Sequence, residues 1–260
     1  MFSIESTQID AWIVAFVFPL ARILAFIASA PLWSNAGVPR RTRLILGLAI
    51  TVALAPALPA MPAVAPGSLG GLWIMFQQML IGIGMGFAAR IVFTAFDLAG
   101  EFIGFQMGLG FATFYDPLSA SQTPVIAEFV NLVALLLLLS MNGHLLYFAT
   151  LAQSFSAIPV SAMPLGNGSW LNLVELGGKI FSAGLLLALP IVVALMITNI
   201  ALAVLTRAAP QLNIFALGFP LTLIGGFVAL AISLNYLSGP IQGIFELAMS
   251  ATLGFALPGK

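Results

Sequence analysis

No cysteine occurs anywhere in the 260 residues. Disulfides, thiolate metal sites and thiol nucleophiles are therefore excluded within this chain. Histidine occurs once, as His144, so an imidazole-rich metal centre cannot be assembled from it. Charge is scarce as well: eight Lys+Arg and eight Asp+Glu make 6% of the residues, where a soluble domain carries about a quarter. The net charge is zero, so there is no excess of basic charge to neutralise a phosphate backbone, and no nucleic-acid partner is expected. These absences leave little catalytic chemistry, and neither a cofactor nor an enzymatic activity is expected.

What is present is apolar. Hydrophobic residues make up 61% of the chain, and the mean hydropathy is +1.14. Sixteen charges cannot give a polar skin to a soluble protein of this size. The surroundings are membrane lipid or other apolar protein, and the expected fold class is all-α, a polytopic helical membrane protein of a single domain over residues 1–260. The 25 glycines and 16 prolines fit that setting, because neighbouring helices can satisfy the backbone groups they free. Ala28-Ser29-Ala30 has the look of a signal cleavage site. The preceding Glu5 and Asp10, the interruptions at Pro19 and Arg22, and Pro31 just after it argue against cleavage.

A spanning helix needs about 20 apolar residues. Six to seven hydrophobic segments approach that length: 11–33, 44–58, 71–96, 125–147, 180–206, 215–236, and a shorter stretch over 241–257. An uncharged Pro-rich linker covers 59–70, and a loop rich in Pro, Gly, Ser and Asn covers 154–169. Arg40, Arg41 and Arg43 lie between the first two segments. If that loop faces the cytoplasm, Arg90 and Arg207 also fall inside and Lys179 falls outside.

Arg22 lies in the middle of the first segment. An ionised group at that depth needs a partner, and Asp97, Glu101 and Glu128 are the candidate carboxylates. The stretch from Gly100 to Pro117 is apolar, glycine-studded and bounded by acids. As a non-regular segment it suits only a place buried in protein or lining a cavity. Its Gly100, Gly104 and Gly108 repeat every four residues, a spacing that on a helix lets another backbone approach closely. Met107, Leu109, Phe111 and Phe114 form an apolar cluster there, of the kind a hydrophobic constriction needs. Further along, Pro210 and Pro220 bracket Gln211 and Asn213 just after Arg207. A tight turn between two helices is the reading physics favours.

Three stretches together resemble the flagellar biosynthetic protein FliR family, which also includes the matching subunit of virulence injectisomes. They are Pro19-Leu20-Ala21-Arg22 with Ser29-Ala30-Pro31, Gly100-Glu101-Phe102-Ile103-Gly104 running to Asp116-Pro117, and Ala209-Pro210-Gln211-Leu212-Asn213-Ile214-Phe215 with Gly218-Phe219-Pro220. The resemblance implies an export-gate subunit of the flagellar type III secretion apparatus in the bacterial inner membrane, at the flagellar basal body. Family members are helical hairpins packed into a funnel-shaped assembly with FliP and FliQ multimers, alongside FlhB and FlhA, and unfolded flagellar proteins pass through it. Much of that assembly stands outside the membrane plane. The resemblance further implies a plug formed by Met107, Gly108, Leu109, Phe111 and Phe114. It gives assembly roles to Arg22, Gly100, Glu101, Gly104, Arg207, Pro210, Gln211, Asn213 and Pro220. A small-molecule secondary transporter is the rival from another class, because broken helices and intramembrane charges also serve such proteins.

Overall fold

The structure is a computed structural model that describes residues 6–35, 37–110, 124–161, 167–209, 214–236 and 238–256. Among the described residues there are eight α-helices and no strand. They are α1 (Ser6–Ser29), α2 (Arg40–Leu54), α3 (Leu69–Gln106), α4 (Val125–Ser140), α5 (Gly143–Ala157), α6 (Asn167–Ala208), α7 (Ile214–Ser233) and α8 (Ser238–Ala256). A short 3-10 turn, Ala55–Ala57, closes α2. The chain is thus the all-helical, polytopic kind that its composition predicts.

Among the described residues, four helices are long and apolar enough to cross a membrane: α1 over Trp12–Ser29, α3, α6 over Leu171–Ala208, and α7 with the turn after it over Gly218–Tyr236. A fifth span results if α4 and α5 count as one broken crossing. This is fewer than the hydrophobic segments suggest. The 15 residues of α2 rise only about 22 Å, short of a hydrocarbon core of about 30 Å. The segment 125–147 is interrupted at Asn142, which takes a left-handed φ of 57° and ends one helix so that another begins. Conversely, α3 has 38 residues and extends about 57 Å, nearly twice the hydrocarbon thickness. The 42-residue α6 is longer still; it takes in 167–169 of the loop expected over 154–169, and α5 takes in 154–157. Gly177-Gly178-Lys179, readable as a helix start, lies inside α6.

The chain divides into two compact units that interleave along the sequence. The first holds Met1–Val92, Asn142–Gly177 and Glu246–Lys260. Its core begins with the stripe Val14, Phe18, Arg22 and Phe26 on α1, all buried and spaced by four so that they share one helix face, and continues into buried Ala30 just past the helix end. Gly82 and Gly86 of α3 let that face come close. A Cβ at Gly82 would meet the carbonyl oxygen of Arg22, and one at Gly86 would meet Ser29 and the carbonyl of Phe26. This is the small-residue packing by which membrane helices associate without a hydrophobic driving force. Phe26, Trp33 and Tyr147 form a mutual ring cluster at 6.1–6.2 Å between centroids, and Phe148 stands 4.9 Å from Trp33.

The second unit holds Phe93–Met141 and Gly178–Phe245. Here Gly100 of α3 meets the backbone of Ala127 at the start of α4, and Gly184 of α6 meets the carbonyl of Ala95. Phe93, Phe96 and Phe245 pack within 5.4–5.8 Å of one another. Asn131 donates a 2.7 Å hydrogen bond to Asp97 Oδ1.

Candidate functional site

The glycine-rich stretch is not irregular from its start. Helix α3 runs unbroken through Gly100, Glu101 and Gly104 to Gln106, so the expectation of a non-regular segment from Gly100 is corrected. Two turns of four-residue glycine spacing serve helix packing, with the Gly100 face on Ala127 and the Gly104 face 3.8 Å from Ile126. Glu101 beside them is half-buried. The regular structure ends at Gly108, which has a φ of 85°. An L side chain is strained there, and glycine is not.

The way α3 ends is specific. The amide of Leu109 donates to the carbonyl of Gly104, and that of Gly108 to the carbonyl of Phe105, both at 3.1 Å. This pair of backward bonds around a left-handed glycine is the Schellman arrangement. It satisfies two of the four carbonyls that a helix end leaves open. The other two are met by side chains from other helices. Asn199 of α6 donates from Nδ2 to the carbonyl of Gln106 and to its Oε1, each at 3.3 Å. Thr222 of α7 places Oγ1 3.1 Å from the carbonyl of Met107 and 3.0 Å from that of Phe219 in its own helix, so its single O–H is shared between the two. Met107 itself is fully buried, and its side chain fills the space beside Gly226 of α7 that a Cβ would need. The end of α3 is therefore fixed to α6 and α7, and the chain leaves it through Leu109 and Gly110.

Arg22 is also fully buried, but among the described residues no carboxylate pairs with it. Its Nε donates to Gln78 Oε1 at 2.8 Å, and Nη1 donates to the Ser154 carbonyl at 3.0 Å and to Ser154 Oγ at 3.2 Å. Nη2 donates to the Ile158 carbonyl at 2.8 Å, and the guanidinium carbon lies 4.2 Å from the Phe155 ring centroid. Ser154 and Ile158 are at the C-terminal end of α5. The cation thus stands at the negative end of a helix dipole; it caps the Ile158 carbonyl, which the helix end leaves open, and shares the Ser154 carbonyl with the Ile158 amide. The candidate partners Asp97, Glu101 and Glu128 are replaced by a helix end, a glutamine and an aromatic face. Asp97 is engaged by Asn131 instead.

The remaining predicted residues are scattered. Arg207 is exposed in the last turn of α6, the dipole end that favours a cation. Pro220 is exposed and lies inside α7, so it does not close a turn between helices. Phe111, Phe114, Pro210, Gln211 and Asn213 lie outside the described residues. The residues that sequence reasoning missed are Gln78, Ser154, Asn199, Thr222 and Gly226. The signal that could have found Gln78 and Asn199 is a polar side chain inside an apolar helix, which is expensive unless it bonds to something.

The chain matches the family model of the bacterial export proteins, family 1, over residues 13–248. It is 45% identical over 231 residues to the flagellar biosynthetic protein FliR of Escherichia coli (strain K12), covering 89% of this chain and 88% of that one. It is 42% identical to the FliR protein of Pectobacterium carotovorum subsp. carotovorum, with 95% and 94% covered. Against the FliR protein of Bacillus subtilis (strain 168) the identity is 30%, with 90% and 92% covered.

Proposed function

The chain belongs to the bacterial export proteins, family 1, and from that premise we propose that it is the FliR-type subunit of the flagellar type III export gate. In this reading it has no catalytic task. With FliP and FliQ multimers it lines a channel in the bacterial inner membrane, next to FlhB and FlhA, and unfolded flagellar proteins pass through under a driving force supplied by other components. The exposed apolar stripe of α3, from Trp73 through Phe76, Met79 and Ile83 to Phe87, would then face lipid or those partners.

The observation that carries the gating part is the anchored end of α3. A segment that closes a pore needs a root that holds it in the closed state and a tip that can leave the pore. The carbonyls from Gly104 to Met107, at and just past the end of α3, each have a donor within reach, and Gly108 supplies the sharp exit. Met107, buried against Gly226, serves as root. Leu109, Phe111 and Phe114 serve as the apolar body of the plug, whose side chains exclude water from the closed pore. Replacing Phe111 and Phe114 together by alanine should leave the multi-subunit complex assembled and raise its ion conductance in planar bilayers. Unchanged conductance in a correctly assembled complex would remove the plug assignment. Purification of the chain as a monomer or symmetric homodimer, without small hydrophobic partners, would remove the export-gate reading itself.

A further inference from the structure

Helix α2 begins with three arginines in four residues, Arg40, Arg41 and Arg43. Its first turn contains no acid, and Pro39 before it provides no side-chain cap. Positive side chains are thus gathered at the positive end of a helix dipole, the placement that a protein avoids for its own stability. Arg40 and Arg41 are exposed, and among the described residues neither has a carboxylate partner. Arg43 donates from Nη2 to the Asn35 carbonyl at 2.7 Å, and its Nε is buried without a partner. The next two residues, Leu44 and Ile45, are 51% and 64% exposed. A strongly basic turn and an exposed apolar shoulder therefore occupy the same edge of the molecule.

The position of that edge follows from packing. Gly47 of α2 sits against Leu24 and Ile27 of α1. Arg40 precedes Gly47 by seven residues, about 10 Å of helix, and α1 continues only about 7 Å past Leu24 to its end at Ser29. The arginines stand at the level where the apolar span Trp12–Ser29 runs out. We infer that the first turn of α2 is a docking surface for acidic phospholipid, with Arg40 and Arg41 on the phosphate and Leu44 and Ile45 on the acyl region below it. Charge complementarity selects an acidic over a zwitterionic headgroup. The apolar shoulder selects a lipid over a free phosphate ion, because only a lipid covers both. This inference does not depend on the plug.

The test is native mass spectrometry of the full-length chain in detergent, titrated separately with phosphatidylglycerol and phosphatidylcholine. Phosphatidylglycerol should be retained in preference. Each arginine near an acidic surface contributes about fivefold in affinity, so Arg40→Gln with Arg41→Gln should weaken phosphatidylglycerol retention by about 25-fold and leave phosphatidylcholine unchanged. Arg40→Lys with Arg41→Lys keeps the charge and should keep most of the preference, which separates a charge effect from a folding defect. Equal retention of the two lipids overturns the inference, as does a glutamine variant with intact preference. Competition by inorganic phosphate as effective as that of the lipid would also overturn it, by assigning the site to a free anion. Loss of partner subunits on the glutamine change with no lipid preference in the parent chain would make the face a protein contact instead.

Discussion

Replacing Arg22 tests whether a buried cation without a counter-ion ties this fold together. The guanidinium makes four hydrogen bonds, to Gln78, to Ser154 twice and to Ile158, and lies over Phe155. Hydrogen bonds between membrane helices contribute on average about 0.6 kcal/mol each and at most about 1.7 kcal/mol. A desolvated cation–π contact adds about 2 kcal/mol. Against these stands the rule that a buried ion often costs more than it returns, so that a hydrophobic side chain of equal size can be better. The geometry decides for the arginine. Methionine would fill the volume but leave Gln78 Oε1 and the Ile158 carbonyl buried with no donor. We expect Arg22→Met to cost about 3 kcal/mol, and Arg22→Ala about 5 kcal/mol because a cavity is added. Arg22→Lys should lie between Arg22→Met and the parent chain, since a point charge recovers some bonds but not the fork. Unfolding in mixed micelles under SDS titration, followed by circular dichroism, reads these differences. A methionine variant as stable as the parent or more so would refute the reasoning, and the site would then be an ordinary apolar contact.

Gly108→Ala should destabilise the second unit by about 1–2 kcal/mol and speed hydrogen exchange at the Leu109 amide, while Gly108→Asn should do less harm in the same exchange measurement. Thr222→Val preserves shape but removes the donor to the Met107 carbonyl, and a loss of about 1 kcal/mol should appear in the same SDS titration. Gly100→Ala should be much worse than Gly226→Ala, because the first meets the backbone of Ala127 and the second the flexible side chain of Met107; thermal melts in detergent rank the two. Gly177→Ala with Gly178→Ala should raise the melting temperature, because nothing lies within 4 Å of either Cβ position and each alanine adds up to about 1 kcal/mol of helix propensity.

Much of the fold is legible because its signals are long. The runs over 71–96 and 180–206 exceed any turn, and composition alone makes their surroundings apolar. Legibility fails where one backbone angle decides the outcome. The run over 125–147 reads as one span, yet Asn142 in the left-handed region divides it. Gly100 and Gly104 read either as a loop or as a packing face, and only the position of Ala127 shows which. Arg22 is legible as a buried charge that needs partners. The partners themselves are not, since Ser154 and Ile158 lie more than 130 residues away and offer backbone carbonyls, which every residue has. The family motifs fared unevenly for the same reason. They include Gly108 and Pro220, but they do not give the turn or helix in which each residue sits.

The few polar side chains inside these helices share one physical task. A helix that ends within apolar surroundings leaves carbonyls that neither water nor its own amides can reach. Arg22 from α1 answers this at the end of α5, and Asn199 from α6 with Thr222 from α7 answer it at the end of α3. The two ends differ in chemistry. At α5 the donor is a permanent cation with three further contacts, so release would strand a charge and the joint is effectively permanent. At α3 the donors are a neutral amide at 3.3 Å and a hydroxyl at 3.1 Å, and giving up either bond costs about 1–3 kcal/mol without stranding a charge. If the segment after Gly108 moves during export, its root can therefore yield without unfolding the unit that holds it. Strengthening that root is the way to expose the difference. Thr222→Asn extends the donor reach toward Met107, and it should slow export in a motility-recovery assay without lowering the yield of assembled complex. Faster export from the same variant would contradict a yielding root.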